Sequence, residues 1–288
     1  MSILSLQSMK LAQRIAIKYI RTKFKLLSAI SKKKAAAIAF ELFCTPQKRH
    51  KKKLPRIFEQ GEKLEISVEG KKIYGWRWNH PSQKKALILH GFESSVTNFD
   101  RYVKPLISKE YEVLAFDAPA HGRSSGKTIT APLYKQTILK VYKQFGPIQS
   151  FIAHSFGGLA VSLALEEINH TPEYKLVLIA PAAETTTAID TFFKFLELDP
   201  GIKSEFEKLI VKKGGVSSAW YSIRRAMKHI RAQVLWVQDE DDEITPMNDV
   251  EKVMKENHPN IKFVITKGLG HRRIYRDNKV TRQIIDFL

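Results

Sequence analysis

Short apolar runs alternate with amphipathic stretches over residues 57–288, and this alternation limits the fold more than any other feature. Strand-like runs lie at 63–68, 72–78, 86–89, 113–116, 148–153, 176–179, 234–237 and 263–266. Helix-like stretches lie at 96–109, 131–145, 157–169, 247–258 and 273–287. The first two runs flank Glu69-Gly70 and predict an antiparallel hairpin. The rest predict an α/β fold with a mostly parallel central sheet flanked by helices.

One interval interrupts this rhythm. Roughly fifty residues separate the strand ending near Pro181 from the one starting near Gln233, and loops that long are usually functional or have their own structure. The interval contains Phe192, Phe193 and Trp220. We interpret it as a small helical cap, and its aromatic character suggests an apolar substrate. An extra helical layer without a role in substrate choice is the alternative.

The net charge of +19 is concentrated near the N-terminus. Residues 1–57 hold 15 Lys and Arg residues and a single acidic residue, Glu41. Apolar residues at helical spacing predict helices over 9–43, followed by a basic, turn-rich connector at 47–55. The sequence therefore predicts a basic helical extension over 1–56 that precedes the α/β domain.

Three interpretations of the basic extension remain open. It can be a solvated arm whose helices pack on the rest of the protein. Residues 9–53 can also make peripheral contact with an anionic membrane, because basic amphipathic helices bind such surfaces. Binding to nucleic acid is disfavoured, because few aromatic residues interleave the runs Lys32–Lys34 and Lys48–Lys53 and no recognition motif is present.

Composition also limits location and cofactors. The single cysteine, Cys44, excludes an internal disulfide framework and is typical of a reducing compartment. The uncharged run Gln144–Leu165 contains Pro147 and two adjacent glycines, so it predicts a strand, a turn and a helix rather than a membrane span. No Cys/His cluster suggests a metal. We expect a cytoplasmic protein, with some peripheral membrane contact, that needs neither metal nor cofactor.

The segment Ala153-His154-Ser155-Phe156-Gly157-Gly158 places a serine between a strand and a helix. A sharp turn there would expose the hydroxyl, and the N-terminus of the helix would face an oxyanion. The residues two before and two after the serine must be small, because the backbone passes close to itself. Ala153 and Gly157 meet this demand, so Ser155 is a candidate nucleophile.

Four other polar motifs also follow predicted strands. They are His90-Gly91-Phe92, Asp117 to Ser124, Asp239 to Pro246, and Gly268-Leu269-Gly270-His271. Open α/β sheets place their sites at the carboxyl ends of the strands. The five motifs are therefore expected to meet at one edge of the sheet.

With these motifs in this order, residues 57–288 resemble the α/β-hydrolase superfamily, in particular small serine hydrolases with a cap inserted at about 184–231. The order Ser, Asp, His along the chain is that of the superfamily. The resemblance implies that Ser155 is the nucleophile and that His271 acts as base and then as acid. It also implies that Asp242 orients His271.

The identity of the acid stays open between two residues. Asp242 stands four residues before Pro246, the spacing usual in the superfamily, whereas Asp239 is expected to brace the turn. The resemblance further implies an oxyanion hole made by the backbone N–H groups of Phe92 and Phe156.

Supporting roles fall to the neighbours of these residues. His90 and Gly91 are expected to shape the loop of the oxyanion hole, and His121 the loop after the next strand. His154 is expected to line a pocket or to pack, and Gly157 to permit the turn.

A serine with a histidine and a carboxylate is suited to acyl transfer, because the imidazole activates the hydroxyl and the carboxylate orients the imidazole. The serine argues against superfamily members with an aspartate nucleophile. We expect carboxylesterase-like hydrolysis of a small or amphiphilic acyl ester through an acyl-enzyme. Two alternatives remain: a thioesterase or other acyl hydrolase, and a catalytically weak scaffold that binds a membrane or partner.

Overall fold

Among the residues that the structure describes, eight strands form one sheet, and most of the sheet is parallel. The computed structural model describes residues 11–49 and 53–288. The strands are β1 (Glu62–Val68), β2 (Lys71–Trp78), β3 (Lys84–Leu89), β4 (Tyr111–Phe116), β5 (Ser150–His154), β6 (Lys175–Ile179), β7 (Gln233–Asp239) and β8 (Ile261–Thr266). Their order is β1-β2-β4-β3-β5-β6-β7-β8. Within this sheet only the pairings made by β2 are antiparallel, so the predicted edge hairpin and mostly parallel sheet are confirmed.

Twelve α-helices lie within the described residues. They are α1 (Leu11–Ile30), α2 (Lys32–Cys44), α3 (Arg56–Glu59), α4 (Asp100–Ser108), α5 (Ala131–Phe145), α6 (Phe156–Leu165), α7 (Thr185–Leu196), α8 (Pro200–Gly214), α9 (Ile223–Met227), α10 (Met247–Met254), α11 (Gly270–Arg273) and α12 (Asn278–Phe287). None of these helices has the length and apolar character needed to cross a membrane. The run Gln144–Leu165 forms the end of α5, then β5 and α6, which is the predicted strand, turn and helix.

The register of the sheet brings the polar motifs to one edge. Strands β4 and β5 are buried along their whole length, as expected of central parallel strands covered on both faces. Leu89 at the end of β3 pairs with Ala153 near the end of β5. Asp239 at the end of β7 pairs with Thr266 at the end of β8. The loops that follow these strands therefore leave the sheet at the same side.

The chain divides into two compact units. One unit contains the sheet and comprises Pro46–Ala183 and Ile223–Leu288. The other unit is helical and joins the described residues up to Thr45 with Glu184–Ser222. The segment inserted between β6 and α9 thus shares one unit with the two N-terminal helices.

Aromatic side chains form the centre of the helical unit. Phe206 of α8 lies 5.8 Å from Phe43 of α2 and 5.3 Å from Phe193 of α7, measured between ring centroids. Phe192 lies 5.2 Å from Phe43 in an edge-to-face arrangement. Both α7 phenylalanines are buried in this cluster. Their aromatic character is therefore explained by packing within the unit, and it no longer argues for an apolar substrate.

Truncation of an isoleucine in the sheet core should destabilise the protein more than truncation of an isoleucine at the sheet edge. Ile152 of β5 is fully buried, whereas Ile265 of the edge strand β8 is 37% exposed. We expect Ile152→Ala to lower the free energy of unfolding by about 2–5 kcal/mol, because it leaves a cavity between packed layers. The matched Ile265→Ala variant should cost less than about 1 kcal/mol. Urea unfolding followed by tryptophan fluorescence measures both, and equal losses would contradict this description of the core.

Candidate active site

Ser155 occupies a strained turn between β5 and α6. Its backbone has φ 54° and ψ −121°, a conformation that non-glycine residues rarely adopt. Two main-chain hydrogen bonds hold it: Ser155 N–H donates to Ile179 O at 3.1 Å, and Ala182 N–H donates to Ser155 O at 3.0 Å. A Cβ on Gly157 would lie 2.7 Å from His90 O. The glycine is therefore required for the close passage of the backbone.

Ser155, His271 and Asp242 are distant in the chain but lie together in the fold. His271 Nε2 lies 3.0 Å from Ser155 Oγ. His271 Nδ1 lies 2.8 Å from Asp242 Oδ2. In this arrangement the imidazole N–H donates to the carboxylate, and the other ring nitrogen accepts from the serine hydroxyl. The geometry suits proton transfer from serine to histidine.

The Asp242 carboxylate is held as an anion by several donors. Its Oδ1 accepts the N–H groups of Ile244 and Thr245, each at 2.9 Å. Its Oδ2 accepts the Thr245 hydroxyl at 2.8 Å besides His271. Burial raises the pKa of Asp242, but the hydrogen bonds from His271 and Thr245 outweigh burial and leave its pKa below the usual value. Asp242 is therefore ionised at neutral pH.

Thr245 is a site residue that the sequence analysis did not single out. Its hydroxyl also lies 3.3 Å from His271 Nδ1 and 3.3 Å from Ala180 O. The only signal in the sequence was its position inside the motif Asp239 to Pro246.

Asp239 has a different place from Asp242. Its Oδ1 accepts Gly270 N–H at 2.8 Å, and its Oδ2 accepts Leu269 N–H at 3.1 Å and the Thr266 hydroxyl at 2.7 Å. These hydrogen bonds outweigh the effect of burial and hold the pKa of Asp239 below its usual value. The carboxylate thus fixes the loop just before His271, whereas the contact with the imidazole is made by Asp242.

His90 and Gly91 shape the loop after β3. The fully buried His90 ring donates from Nδ1 to Gly91 O at 2.7 Å and accepts Ala118 N–H at Nε2 at 2.9 Å. The ring therefore joins the loops that follow β3 and β4. A Cβ on Gly91 would lie 2.7 Å from Ser155 Cβ. Only a glycine allows this loop to approach the serine so closely.

Asp117 and His121 hold the same loop from the end of β4. Asp117 Oδ1 accepts the Ser95 hydroxyl at 2.8 Å and Val96 N–H at 3.1 Å. His121 Nε2 accepts Glu93 N–H at 3.0 Å. Burial lowers the pKa of His121 to about 3, so its ring is neutral near pH 7. The loop-shaping role of His121 was predicted from the sequence, whereas that of Asp117 was not, although a charge directly after a buried strand is a signal for such a role.

His154 supports the main chain of the neighbouring histidine. Its Nε2 lies 3.0 Å from His271 O, and its ring centroid lies 4.7 Å from those of His271 and Tyr275. Burial, together with the proximity of His271, lowers the pKa of His154 well below its usual value. The neutral ring therefore donates from Nε2 to this carbonyl and helps to position His271.

Phe92 and Phe156 belong to the two backbone segments that meet at the serine turn. Phe156 is the first residue of α6, where a helix leaves backbone N–H groups without intrahelical partners. Phe92 directly follows Gly91, and its ring centroid lies 6.3 Å from that of Phe156. Phe156 directly follows Ser155, and Phe92 follows the glycine that approaches it, so the assignment of both to an oxyanion hole stays a prediction. Among the described residues, no group of three or more His, Cys, Asp or Glu side chains is arranged to hold a metal ion.

Comparison with known proteins identifies related sequences and similar folds. The family model of serine aminopeptidases of type S33 matches residues 80–219. Over just under half of its length the chain is therefore similar to these serine aminopeptidases, and its fold is that of the α/β-hydrolases. An uncharacterized hydrolase of Bacillus subtilis (strain 168), YugF, is 27% identical over 107 residues, which cover 35% of this chain. The match spans only 39% of the length of YugF.

Solved structures of similar fold include an esterase, the protein Est1E and a thioesterase domain. The Pyrococcus furiosus esterase Pf2001 has a TM-score of 0.64 at 22% identity, covering 85% of this chain and 95% of the esterase chain. Est1E from Butyrivibrio proteoclasticus, solved with ferulic acid, has a TM-score of 0.60 at 20% identity, covering 78% and 97%. The thioesterase domain from the curacin biosynthetic pathway has a TM-score of 0.56 at 16% identity, covering 78% and 99%. At these identities the likeness shows the fold alone.

The buried His121 should make stability depend on pH. Its folded pKa of about 3 lies below the ordinary value of 6.5, so between these values the unfolded chain binds a proton that the folded chain does not. Stability should therefore fall as pH drops below about 6.5, with a slope of up to about 1.4 kcal/mol per pH unit from this residue. We expect His121→Gln to remove most of this slope.

Urea unfolding at several pH values between about 5 and 6 measures the slope, where an unfolded histidine is mostly protonated. The exposed His229 provides the matched control, and His229→Gln should keep the wild-type slope. A His121→Gln slope equal to that of the wild type would show that His121 is protonated in the folded state.

Proposed function

We propose that this α/β-hydrolase is a serine hydrolase that cleaves a carboxylic ester through an acyl-enzyme. The observation that carries the proposal is the relay at His271, whose Nε2 lies 3.0 Å from Ser155 Oγ while its Nδ1 lies 2.8 Å from Asp242 Oδ2. Hydroxyl, imidazole and carboxylate in this order activate a serine for nucleophilic attack.

The reaction divides into two halves. His271 accepts the Ser155 proton as Oγ bonds to the ester carbonyl carbon, and the backbone N–H groups of Phe92 and Phe156 stabilise the oxyanion. Collapse of the tetrahedral intermediate breaks the ester bond, and His271 returns the proton to the leaving alcohol. Water then attacks the acyl-enzyme with His271 as base, which releases the acid and restores the Ser155 hydroxyl.

Two features of the site support catalysis rather than a binding role. The ionised Asp242 can stabilise the imidazolium formed in each half of the reaction. His154 and Asp239 both hold the main chain around His271, so the base is fixed before substrate binds. Such support is expected where a base must keep its orientation through repeated proton transfers.

The proposed substrate is a small or amphiphilic acyl ester, and the proposed location is the cytoplasm. We propose that the basic residues 9–53 make peripheral contact with an anionic membrane. We propose no nucleic-acid partner. A thioester is the second candidate, because one of the similar folds is a thioesterase domain and the same relay acts on both acyl groups. Parallel assays with matched oxygen and thio esters separate the two.

Loss of the Ser155 hydroxyl should abolish catalysis while leaving the fold intact. We expect Ser155→Ala to lose labelling by a fluorophosphonate and at least about 10³-fold in kcat/KM on p-nitrophenyl acetate, because no other group becomes the nucleophile. Ser162→Ala is the matched control, since Ser162 lies in α6 with its hydroxyl bonded to Gly158 O. Retained labelling of Ser155→Ala would remove Ser155 from the proposal.

The two aspartates should have separable effects. Asp242→Asn should lower kcat on p-nitrophenyl acetate by about 10²–10⁴-fold, because the amide no longer fixes the imidazole tautomer. Asp239→Asn should lower kcat less and lower Tm more, because it weakens the hydrogen bonds to Leu269 and Gly270. Steady-state kinetics and thermal unfolding of both variants measure this, and a larger kcat loss in Asp239→Asn would reverse the two roles.

A further inference from the structure

Helix α1 exposes a continuous apolar face. Among the described residues, five of the seven exposed large hydrophobic side chains lie on α1, and they are between 61% and 79% exposed. We call them the α1 stripe; they are Leu11, Ile15, Tyr19, Leu26 and Ile30. They recur at intervals of four or seven residues, which places them on one side of an α-helix. Exposed apolar patches of this kind mark binding surfaces.

The packing of the helical unit uses other faces of α1. Ile17 and Phe24 are the buried residues of the helix. Arg21 forms an ion pair with Glu197 at 2.5 Å and donates to Phe195 O at 2.6 Å, at the end of α7. The helix is therefore anchored to its unit while the α1 stripe points away from these contacts.

The charges beside the stripe indicate what it binds. Leu11–Ile30 contains no acidic residue, and Arg14, Lys18, Lys23 and Lys25 are exposed. Cations next to an apolar stripe match a lipid surface, where anionic phosphates lie directly above the acyl chains. A second copy of α1 would bring like charges together, which disfavours self-association through this face.

We propose that the α1 stripe docks this protein on anionic lipid bilayers. The stripe lies at the boundary between headgroups and acyl chains, and the four exposed cations contact lipid phosphates. This inference goes beyond ester hydrolysis and is independent of whether Ser155 is active. Within residues 9–53, the proposal assigns the membrane contact to one face of helix α1. Because α1 belongs to the same unit as residues 184–222, docking would bring the inserted segment to the lipid surface as well.

Co-sedimentation with vesicles tests the docking. The full chain carrying Ser155→Ala is used, so that hydrolysis cannot alter the lipids. We expect it to bind vesicles of equal phosphatidylcholine and phosphatidylglycerol, and to bind phosphatidylcholine alone at least about tenfold more weakly. Adding Ile15→Gln and Leu26→Gln should weaken binding to the mixed vesicles at least about tenfold, because the stripe loses two inserted side chains.

Two exposed apolar positions outside the stripe provide matched controls. Val211 is 45% exposed on α8 and Ile265 is 37% exposed on β8, and Val211→Gln and Ile265→Gln should bind vesicles as the parent does. Lys18→Gln with Lys25→Gln should weaken binding to mixed vesicles but not to phosphatidylcholine. Failure of the parent to bind mixed vesicles, or equal binding by the stripe and control variants, would overturn the proposal.

Two further measurements separate lipid docking from self-association and from ester hydrolysis. Light scattering measures whether the parent is a dimer and whether Ile15→Gln/Leu26→Gln is a monomer. If both hold and the parent does not bind vesicles, the α1 stripe binds a second copy and the proposal is overturned. In the wild-type Ser155 background, the stripe variant should hydrolyse soluble p-nitrophenyl acetate at the wild-type rate. Vesicle binding by a protein without esterase activity would support docking while contradicting only the proposed function.

Discussion

The positive φ of Ser155 is the constraint on which the site depends. A serine in this conformation persists only where its surroundings enforce it. Main-chain hydrogen bonds to Ile179 and Ala182 fix the turn, and Gly157 and Gly91 let two further backbone segments approach it. The buried central strands β4, β5 and β6 offset the cost of the strained turn, because they supply rigid strand ends for these contacts.

Two buried carboxylates extend this support on either side of Ser155. Asp117 stands directly after β4 and accepts hydrogen bonds from the loop that follows β3. Asp239 ends β7 and accepts hydrogen bonds from the loop that follows β8. In each case one strand end ties down the loop of its neighbour, and those loops carry Phe92 and His271. The site is therefore built from paired strand ends rather than from independent loops.

The sequence predicted local elements well and distant contacts poorly. The parallel strands were visible because such strands are short and apolar between polar turns, and the hairpin of β1 and β2 was visible from the turn at Glu69-Gly70. The motifs at their ends also indicated which side of the sheet holds the site, since parallel strands share one carboxyl edge. The hydroxyl of Thr245 was missed because its importance depends on a carboxylate and an imidazole brought together only by folding. The packing partner of Phe192 was missed because nothing in the sequence indicates that Phe43 lies against it. The division into an extension of 1–56 and a hydrolase domain of 57–288 stays a prediction.

The helical unit has a consequence for the order in which the chain folds. Its centre combines Phe43 near one end of the sequence with Phe192 and Phe206 from the segment inserted much later. During synthesis, α1 and α2 leave the ribosome long before their packing partners exist. Their apolar faces stay uncovered until residues 184–222 emerge, and by then most of the sheet has already been made. Helices α1 and α2 thus reach their final packing late, and nascent chains halted before residue 184 would present these faces to chaperones.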